Sequence, residues 1–421
     1  MNPGTPSSSS SFQASLPHAP WAAAELSRIP YWLYTDQAVF AREMERIFCG
    51  RSWAYVGLAV EIPQAGDYLT TTVGNRPIIV CRNRDGELRA FANHCAHRGV
   101  KFCRQRSGKA TRFTCPYHQW TYDLNGDLKG VPFRAGVKGQ GGMPEDFDLS
   151  QHGLTPLKVA EHHGVLFASF DLSIEPFLDY LGDTNRYYFE RVFDGRELRV
   201  IGYSRQLIPG NWKLMFENIK DPYHASLLHV FLVTFGLFRA DQESQVKMDD
   251  TGRHGLLISR RGTQQATEHT KDIANLRADF TLRDARLLDP VKEFKDSATV
   301  VMQTIWPNLI VQQQSNTIAM RQIQPRGPDA FELSWTFFGY EDDDEAMRTR
   351  RLRQANLMSA SGLVSGDDSE VIKLAQDGLK PYPEREAVLE MGGRGTHDEE
   401  HMVTETAIRA FYKYYREVME L

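Results

Sequence analysis

Two short segments constrain this chain more than any other feature. One reads Asn93-His94-Cys95-Ala96-His97-Arg98-Gly99, the other Thr114-Cys115-Pro116-Tyr117-His118-Gln119-Trp120. Each offers one thiol and one imidazole, and seventeen residues separate the first pair from the second. A chain that brings four such ligands to one point must set two loops side by side, as adjacent hairpins of a small β-domain do. Thiolates suit iron–sulfur iron, and a His pair can replace Cys on one of two irons. Zinc on two Cys and two His is the alternative by ligand count alone. Zinc fingers, however, pair Cys with Cys and His with His on a very small fold, whereas each loop here mixes the two.

The surrounding sequence fits a β-domain. Short β-like runs, Tyr68–Val73, Pro77–Cys81 and Val165–Phe170, alternate with turns such as Asn83-Arg84-Asp85-Gly86 and Asn125-Gly126-Asp127. This domain is expected over residues 53–170. Residues 1–20, beginning MNPGTPSSSSSFQ, read as a disordered Ser/Pro tail. Residues 21–52 read as the first part of a second domain, with a helix over Gln37–Phe48. From 171 to 421 helices and strands mix. Helices are expected over Phe177–Phe193, Asn211–Val230, Arg348–Ala360 and Thr404–Met419, and strands of one antiparallel sheet over Ser297–Gln314 and Phe331–Tyr340. The expected class is α+β: a catalytic domain with a central antiparallel sheet flanked by helices, and a β-rich domain inserted near its N-terminus.

The net charge of −5 speaks against a nucleic-acid partner, which asks for a basic excess. No apolar run approaches the roughly 18 residues of a membrane span. The N-terminus has neither the basic start nor the apolar stretch of a secretory signal. Five cysteines, an odd and low count, point to a reducing cytoplasm where cysteine serves metals rather than disulfides. Cys49, Cys81 and Cys103 read as structural.

A second group of candidate ligands lies in Asn211–His229, which reads NWKLMFENIKDPYHASLLH. His224 and His229 are five apart, about 140° around an ideal helix. A local distortion or a helix end is needed to aim both at one ion. Asp221-Pro222 has the form of an N-cap followed by Pro in the first helical turn. Taken alone, the histidines read as a half-buried pair and Asp221 as a cap. The first motif changes that reading, because an iron–sulfur centre needs an electron acceptor. Two His and one carboxylate form the facial triad of non-haem Fe(II) oxygenases. The carboxylate is sought in Gly362-Leu-Val-Ser-Gly-Asp367-Asp368, where two acids are expected to end a loop just before a helix. A capping role is the alternative for either acid.

The pattern C-x-H-R-G followed by C-P-x-H resembles Rieske [2Fe–2S] domains, with Cys95, His97, Cys115 and His118 as cluster ligands. From about residue 25 to 420 the chain resembles the large (α) subunit of Rieske non-haem iron aromatic-ring-hydroxylating oxygenases. It carries their motif N-W-K-x-x-x-E-N-x-x-D-x-Y-H-x-x-x-x-H. The resemblance implies that His224 and His229 ligate a mononuclear Fe(II), with Asp368 as third ligand and Asp367 as the fallback. It implies that Asp221 bridges His224 to the cluster ligand His118 of a neighbouring subunit, and that the catalytic domain is Bet v1-like, of helix-grip type. Asn218 stands one residue nearer Asp221 than in naphthalene-type members, so no iron contact is transferred to it. Respiratory Rieske proteins carry an extra Cys in each loop. Here Tyr117 precedes His118, and Arg98 and Gly99 follow His97, so no disulfide is expected. Gln119-Trp120 after His118 also leaves out the hydroxyl donors of the respiratory type, which implies a lower reduction potential.

The resemblance further implies an α3 or α3β3 oligomer with a small β subunit, and a separate NADH reductase, with or without a ferredoxin. The chain has no strand–GxGxxG–helix, since Gly139-Gln-Gly141-Gly142 runs into Met143-Pro144, and is not expected to bind NADH itself. The fragments GVPFR (130–134), DPYHASLLH (221–229) and MGGR (391–394) resemble the branch acting on salicylate, anthranilate and terephthalate. The expected activity is therefore O₂-dependent hydroxylation of an aromatic carboxylate, by one or two oxygen atoms. Salicylate or anthranilate is favoured over terephthalate or an ortho-halobenzoate. Arg321 and Arg394 are candidates to hold the carboxylate, because a guanidinium matches it bidentately. The alternative for each is a structural or surface Arg. Rival readings are an electron carrier without oxygenase chemistry and a zinc-stabilised binding module. The long C-terminal stretch with its second ligand set speaks against the carrier.

Overall fold

The computed structural model describes residues 15–22, 25–262, 268, 273, 276–277, 279–360 and 362–421. The chain forms two compact units, Phe48–Phe177 and a second made of the stretches up to Ile47 and from Leu178 onward. Most of the expected tail lies outside the described residues. Its last part is packed rather than loose: Leu16 is buried, and His18 stacks on Trp32 and bonds Asp36. Strand β1 (Arg28–Pro30) and helix α1 (Gln37–Glu43) follow. Asp36 caps α1 by accepting from the backbone of Ala38 and Val39.

The Phe48–Phe177 unit holds β2 (Ala54–Leu58), β3 (Asp67–Val73), β4 (Arg76–Arg82), β5 (Leu88–Ala92), β6 (Ser107–Lys109), β7 (Phe113–Thr114), β8 (Thr121–Tyr122), β9 (Leu128–Gly130), β10 (Pro156–His162) and β11 (Val165–Ser169). Seven of them form one sheet in the order β2-β11-β10-β5-β4-β3-β6, and β7-β8-β9 form a second. The two-residue period of β4 feeds two cores. Ile78 and Val80 pack with Val56, Leu69 and Leu166 on one side. Ile79 and Cys81 pack on the other with Phe102, Phe113, Trp120 and Tyr122, directly around Cys95 and Cys115. The sheet thus positions both thiol loops on one apolar floor.

The larger unit holds α2 (Phe177–Leu181, starting at the unit boundary), α3 (Asp183–Val192), β12 (Leu198–Ile208), α4 (Trp212–Lys220), α5 (Pro222–Leu228), α6 (Val230–Thr234), β13 (Ser244–Met248), β14 (Gly255–Ser259), β15 (Val300–Ile305), β16 (Leu309–Gln314), β17 (Thr317–Gly327), β18 (Ala330–Tyr340), α7 (Glu345–Met358), α8 (Leu363–Leu379), β19 (Glu386–Val388) and α9 (Thr406–Met419). Its antiparallel sheet runs β12-β18-β17-β16-β15-β14-β13, while β1 pairs with β19. The fold class is the expected α+β. Several boundaries differ from expectation. Ser297–Gln314 is a hairpin, not one strand. Phe177–Phe193 breaks at Gly182, whose φ of +71° is a left-handed conformation that glycine adopts without a Cβ clash. Asn211–Val230 is three helices, broken at Asp221 and His229. Asp367 and Asp368 lie inside α8 rather than on a loop before it, because the helix already starts after Gly362. Among the described residues no helix is long and apolar enough to cross a membrane.

Candidate metal centres

The two thiol loops share one backbone design. In each, the Cys amide donates to the carbonyl five residues on, Cys95 to Val100 and Cys115 to Trp120, both at 2.9 Å. The residue four after each Cys donates back to it, Gly99 at 2.8 Å and Gln119 at 2.9 Å. That residue has positive φ in both, +70° at Gly99 and +56° at Gln119. Cys95 and Cys115 are buried, while His97 is exposed and His118 half-exposed. The two imidazoles meet edge to face at 4.6 Å, and Trp120 stacks on His97 at 4.8 Å. Two inner thiols and two outer imidazoles, carried by matched loops, fit a two-iron cluster with unlike iron ends. All five cysteines are free.

One contact corrects the sequence reading. The Tyr122 hydroxyl lies 3.3 Å from Cys95 Sγ and accepts from the Ala96 amide at 3.0 Å. Burial first, then the bond to Cys95, push the Tyr122 phenol well above its ordinary range, so the hydroxyl keeps its proton for the sulfur. A hydroxyl donor is therefore present. It comes from β8, four residues beyond His118, and reaches the opposite loop.

In the larger unit, His224, His229 and Asp368 offer ligand atoms that all lie within 4.8 Å of one another. The helix break makes this possible. His224 sits in α5, whereas His229 is the junction between α5 and α6, with φ −87° and ψ 82°. Nε2 of His229 lies 3.2 Å and Nε2 of His224 3.5 Å from Asp368 Oδ1. On α8 successive residues diverge by about 100°. Asp368 therefore turns into the protein and is buried, while Asp367 stays at the outer side of His229, 3.2 Å from its Nδ1. Asp221 caps α5 through the His224 amide at 3.1 Å and brings Oδ2 to 3.4 Å from His224 Nδ1. Burial would raise Asp368, but the two imidazoles outweigh it and hold the carboxyl well below its ordinary range. Burial would lower His224, but Asp221 and Asp368 outweigh it and lift the imidazole to about 10. Buried carboxylates thus demand positive charge between the imidazoles, which a divalent cation satisfies in place of protons. The donor set fits mononuclear iron.

Asn218, given no role by the sequence, reaches this group. Its Nδ2 lies 3.3 Å from His224 Nε2 and 3.1 Å from Asp368 Oδ1, and its Oδ1 is buried with no hydrogen-bond partner. The signal was its place on α4 three residues before Asp221, one helical turn away. The group faces a cleft whose wall includes Leu257, Val300, Met302 and Trp335. Arg321 lines it too. It lies opposite Trp335 across the β17–β18 pair, with its guanidinium 4.3 Å from that ring. It donates to Gln312 at 3.2 Å and contacts Met215 sulfur at 3.4 Å, while Nε has no partner. Burial lowers it to about 10, against the pull of Asp368. Arg394 is not brought here: it is exposed and paired with Glu390 at 2.8 Å, outside the cleft.

Comparisons with known proteins follow the same division. Residues 52–140 match the Rieske [2Fe-2S] domain model, and 181–421 match the ring hydroxylating alpha subunit (catalytic domain) model. The large oxygenase component of salicylate 5-hydroxylase from Ralstonia sp. is 51% identical over 405 residues, covering 95% of this chain and 96% of that protein. The anthranilate 1,2-dioxygenase large subunit of Burkholderia cepacia is 42% identical, over 93% of each. Naphthalene 1,2-dioxygenase from Rhodococcus sp., solved with bound indole, superposes with a TM-score of 0.75 at 26% identity, over 93% of this chain and 94% of that one.

Proposed function

The chain belongs to the ring-hydroxylating oxygenase α subunits, and on that premise we propose that it hydroxylates an aromatic carboxylate held in the cleft beside His224, His229 and Asp368. Membership brings a Rieske [2Fe–2S] cluster, a mononuclear iron and a place in a multicomponent, oligomeric enzyme. Cys95, His97, Cys115 and His118 hold the cluster, and His224, His229 and Asp368 hold the iron. When bound, the cluster supplies single electrons and the iron activates dioxygen for insertion into the ring. The chain does the rest. Arg321 anchors the substrate carboxylate, with its unpartnered Nε edge available to it. Leu257, Val300 and Met302 orient the ring and exclude water. Asp221 holds a proton on Nδ1 of His224, which leaves Nε2 for the metal, and couples this imidazole to His118 of the partner subunit. Asp367 steadies His229 in the same way. The subunits assemble as α3 or α3β3 with a small β subunit, in the cytoplasm. NADH-derived electrons arrive through a separate reductase, with or without a ferredoxin.

The observation that carries the substrate class is Arg321: a buried guanidinium in the metal cleft whose charge no carboxylate in hydrogen-bond reach offsets among the described residues. The relatives reported above are named for salicylate and anthranilate, both ortho-substituted benzoates. With a compatible reductase, Arg321→Gln is expected to raise KM for either acid by about 10- to 100-fold, the worth of one hydrogen bond to a charge. The cluster spectrum stays unchanged. If the unaltered enzyme converts phenol and aniline as readily as the two acids, the carboxylate reading is wrong. For the metal site, Asp368→Ala is expected to lower iron from about three to about two per chain while the cluster absorption persists. Full iron in that variant would overturn the ligand assignment.

A further inference from the structure

Away from both metal centres, one buried cation has no counterpart. Lys220 is the last residue of α4 and is 3% exposed, and its Nζ has no hydrogen-bond partner among the described residues. Its neighbours do not reach it. The Phe216 ring lies 5.8 Å away. Asp249 attracts it from a distance, but that carboxylate accepts from the His254 amide at 2.8 Å and the Thr251 hydroxyl at 2.6 Å, and faces Arg253 at 3.7 Å. His254 is held neutral, accepting from the Trp306 amide at Nδ1 and donating from Nε2 to the Tyr180 carbonyl. Nζ projects into a small cavity bounded by α4, β13, β14, β15 and α9, whose walls include Val246, Leu256 and Ala407. The only other hydroxyl, amide or charged side chain on its wall is Thr304, which donates to the Gly255 carbonyl at 3.3 Å. Gly255 makes the room: a Cβ there would lie 2.7 Å from Nζ and 3.2 Å from Thr304 Oγ1. The cavity is separate from the metal cleft, but Ile219, Leu257 and Met302 wall both.

We propose that this cavity is a binding site for a single halide ion, held by the Lys220 ammonium. A lone buried ammonium is strongly disfavoured unless a counter-charge joins it. Loss of its proton is the other relief, and burial does lower Lys220 to about 7, against the pull of Asp249. Charged and neutral forms are then balanced near neutral pH, and an anion that meets only the charged form draws the balance toward it. A buried water needs about two to four polar partners, and this cavity offers Nζ and one hydroxyl. A monatomic anion is an acceptor only. It needs donors on one side and tolerates the methyl groups of Val246, Leu256 and Ala407 on the other. A carboxylate or larger oxyanion would need a donor for each oxygen, which those side chains cannot give. The bound ion would sit directly behind Leu257 and Met302, so it would brace the apolar wall of the metal cleft from outside. The proposal does not depend on which metals the cleft or the thiol loops hold.

The test uses the holoenzyme and bromide, whose anomalous X-ray scattering sets it apart from water. Crystals equilibrated in sodium bromide are expected to show an anomalous peak in contact with Lys220 Nζ. In solution at pH 7, replacing about 200 mM sodium gluconate by sodium bromide is expected to raise the thermal unfolding midpoint by about 1–3 °C, in a saturable way. Because the ion selects the protonated amine, its affinity is expected to fall about tenfold between pH 7.5 and 8.5, which a general salt effect would not do. Lys220→Met, an apolar chain of similar length, is expected to lose both the peak and the bromide-specific shift. Gly255→Ala, which crowds Nζ but keeps the charge, is expected to lose them too, and serves where Lys220→Met does not fold. Density at Nζ without anomalous signal would mean water and would overturn the proposal. So would a peak that persists in these variants, or a peak with no bromide-specific shift in solution, which is binding at crystal concentration only.

Discussion

Tyr122 shows how a single side chain escapes a motif-based reading. Attention to Gln119 and Trp120 led to the expectation of a cluster without hydroxyl donors. β8 runs back from the second loop, however, and carries Tyr122 to the sulfur of the first. A hydrogen bond to a ligand sulfur stabilises the reduced, more negative cluster and raises its potential. Tyr122→Phe is accordingly expected to lower the reduction potential in a spectroelectrochemical titration with the EPR signal otherwise preserved; an unchanged potential would mean that the hydroxyl only braces Ala96. For Asp221→Asn, both metal sites are expected to stay filled while turnover stops, and normal product formation would remove Asp221 from its bridging role. The two acids of α8 were legible as a pair. Their division of labour needed the helix, because only its angular step shows that Asp368 faces inward. Arg394 was indistinguishable from Arg321 in sequence, since a lone Arg reads as an anchor or as a structural residue with equal chemistry. Burial separates them.

Among the elements, α4 is the one on which the site hangs. It carries Asn218 and ends at Asp221, and it is tied to the rest of its unit by buried polar groups. Lys213 and Glu43 of α1 meet at 2.5 Å with neither exposed, and Glu43 also accepts from Trp212 at 2.8 Å and Tyr415 at 2.7 Å. Removing one partner strands the other charge, so Glu43→Ala is expected to cost about 3–5 kcal/mol in chemical denaturation. A loss below about 1 kcal/mol would show that Lys213 finds another partner. One turn further, Glu217 is bonded to Tyr412 and close to Tyr34, with Lys213 and Asp221 also facing it. Burial, more than these partners can offset, raises its carboxyl to about 7. The folded state then binds more protons than the unfolded chain between about pH 4.3 and 7, so this group's contribution to stability declines as pH rises through that window. Glu217→Gln should remove that decline. Parallel pH profiles for variant and parent would refute it. The hydrophobic periods of α4 and the sheet were readable from sequence. The breaks at Asp221 and His229 were only partly so, because Asp-Pro announces a cap whereas nothing local announces the second break.

At the level of the whole molecule, the α+β class and the inserted β-domain were legible because the period of the apolar pattern changes twice along the chain. The hairpin within Ser297–Gln314 was missed although Trp306-Pro307-Asn308 carries a turn signal, because the β-branched residues on either side read as one run. If His118 serves the iron of a neighbouring subunit, chains damaged at different centres should rescue one another. Co-expressed His118→Ala and Asp368→Ala chains, each inactive alone, are expected to form mixed oligomers with measurable activity, whereas a route confined to one chain predicts none. The pairing of β1 with β19, Arg28–Pro30 against Glu386–Val388, has a consequence for synthesis. The Phe48–Phe177 unit is contiguous and is complete on the ribosome while more than half the chain is still untranslated, whereas the larger unit cannot close before its last strand and helix emerge. The β-rich unit is therefore free to fold and present its four candidate cluster ligands before the mononuclear site is complete.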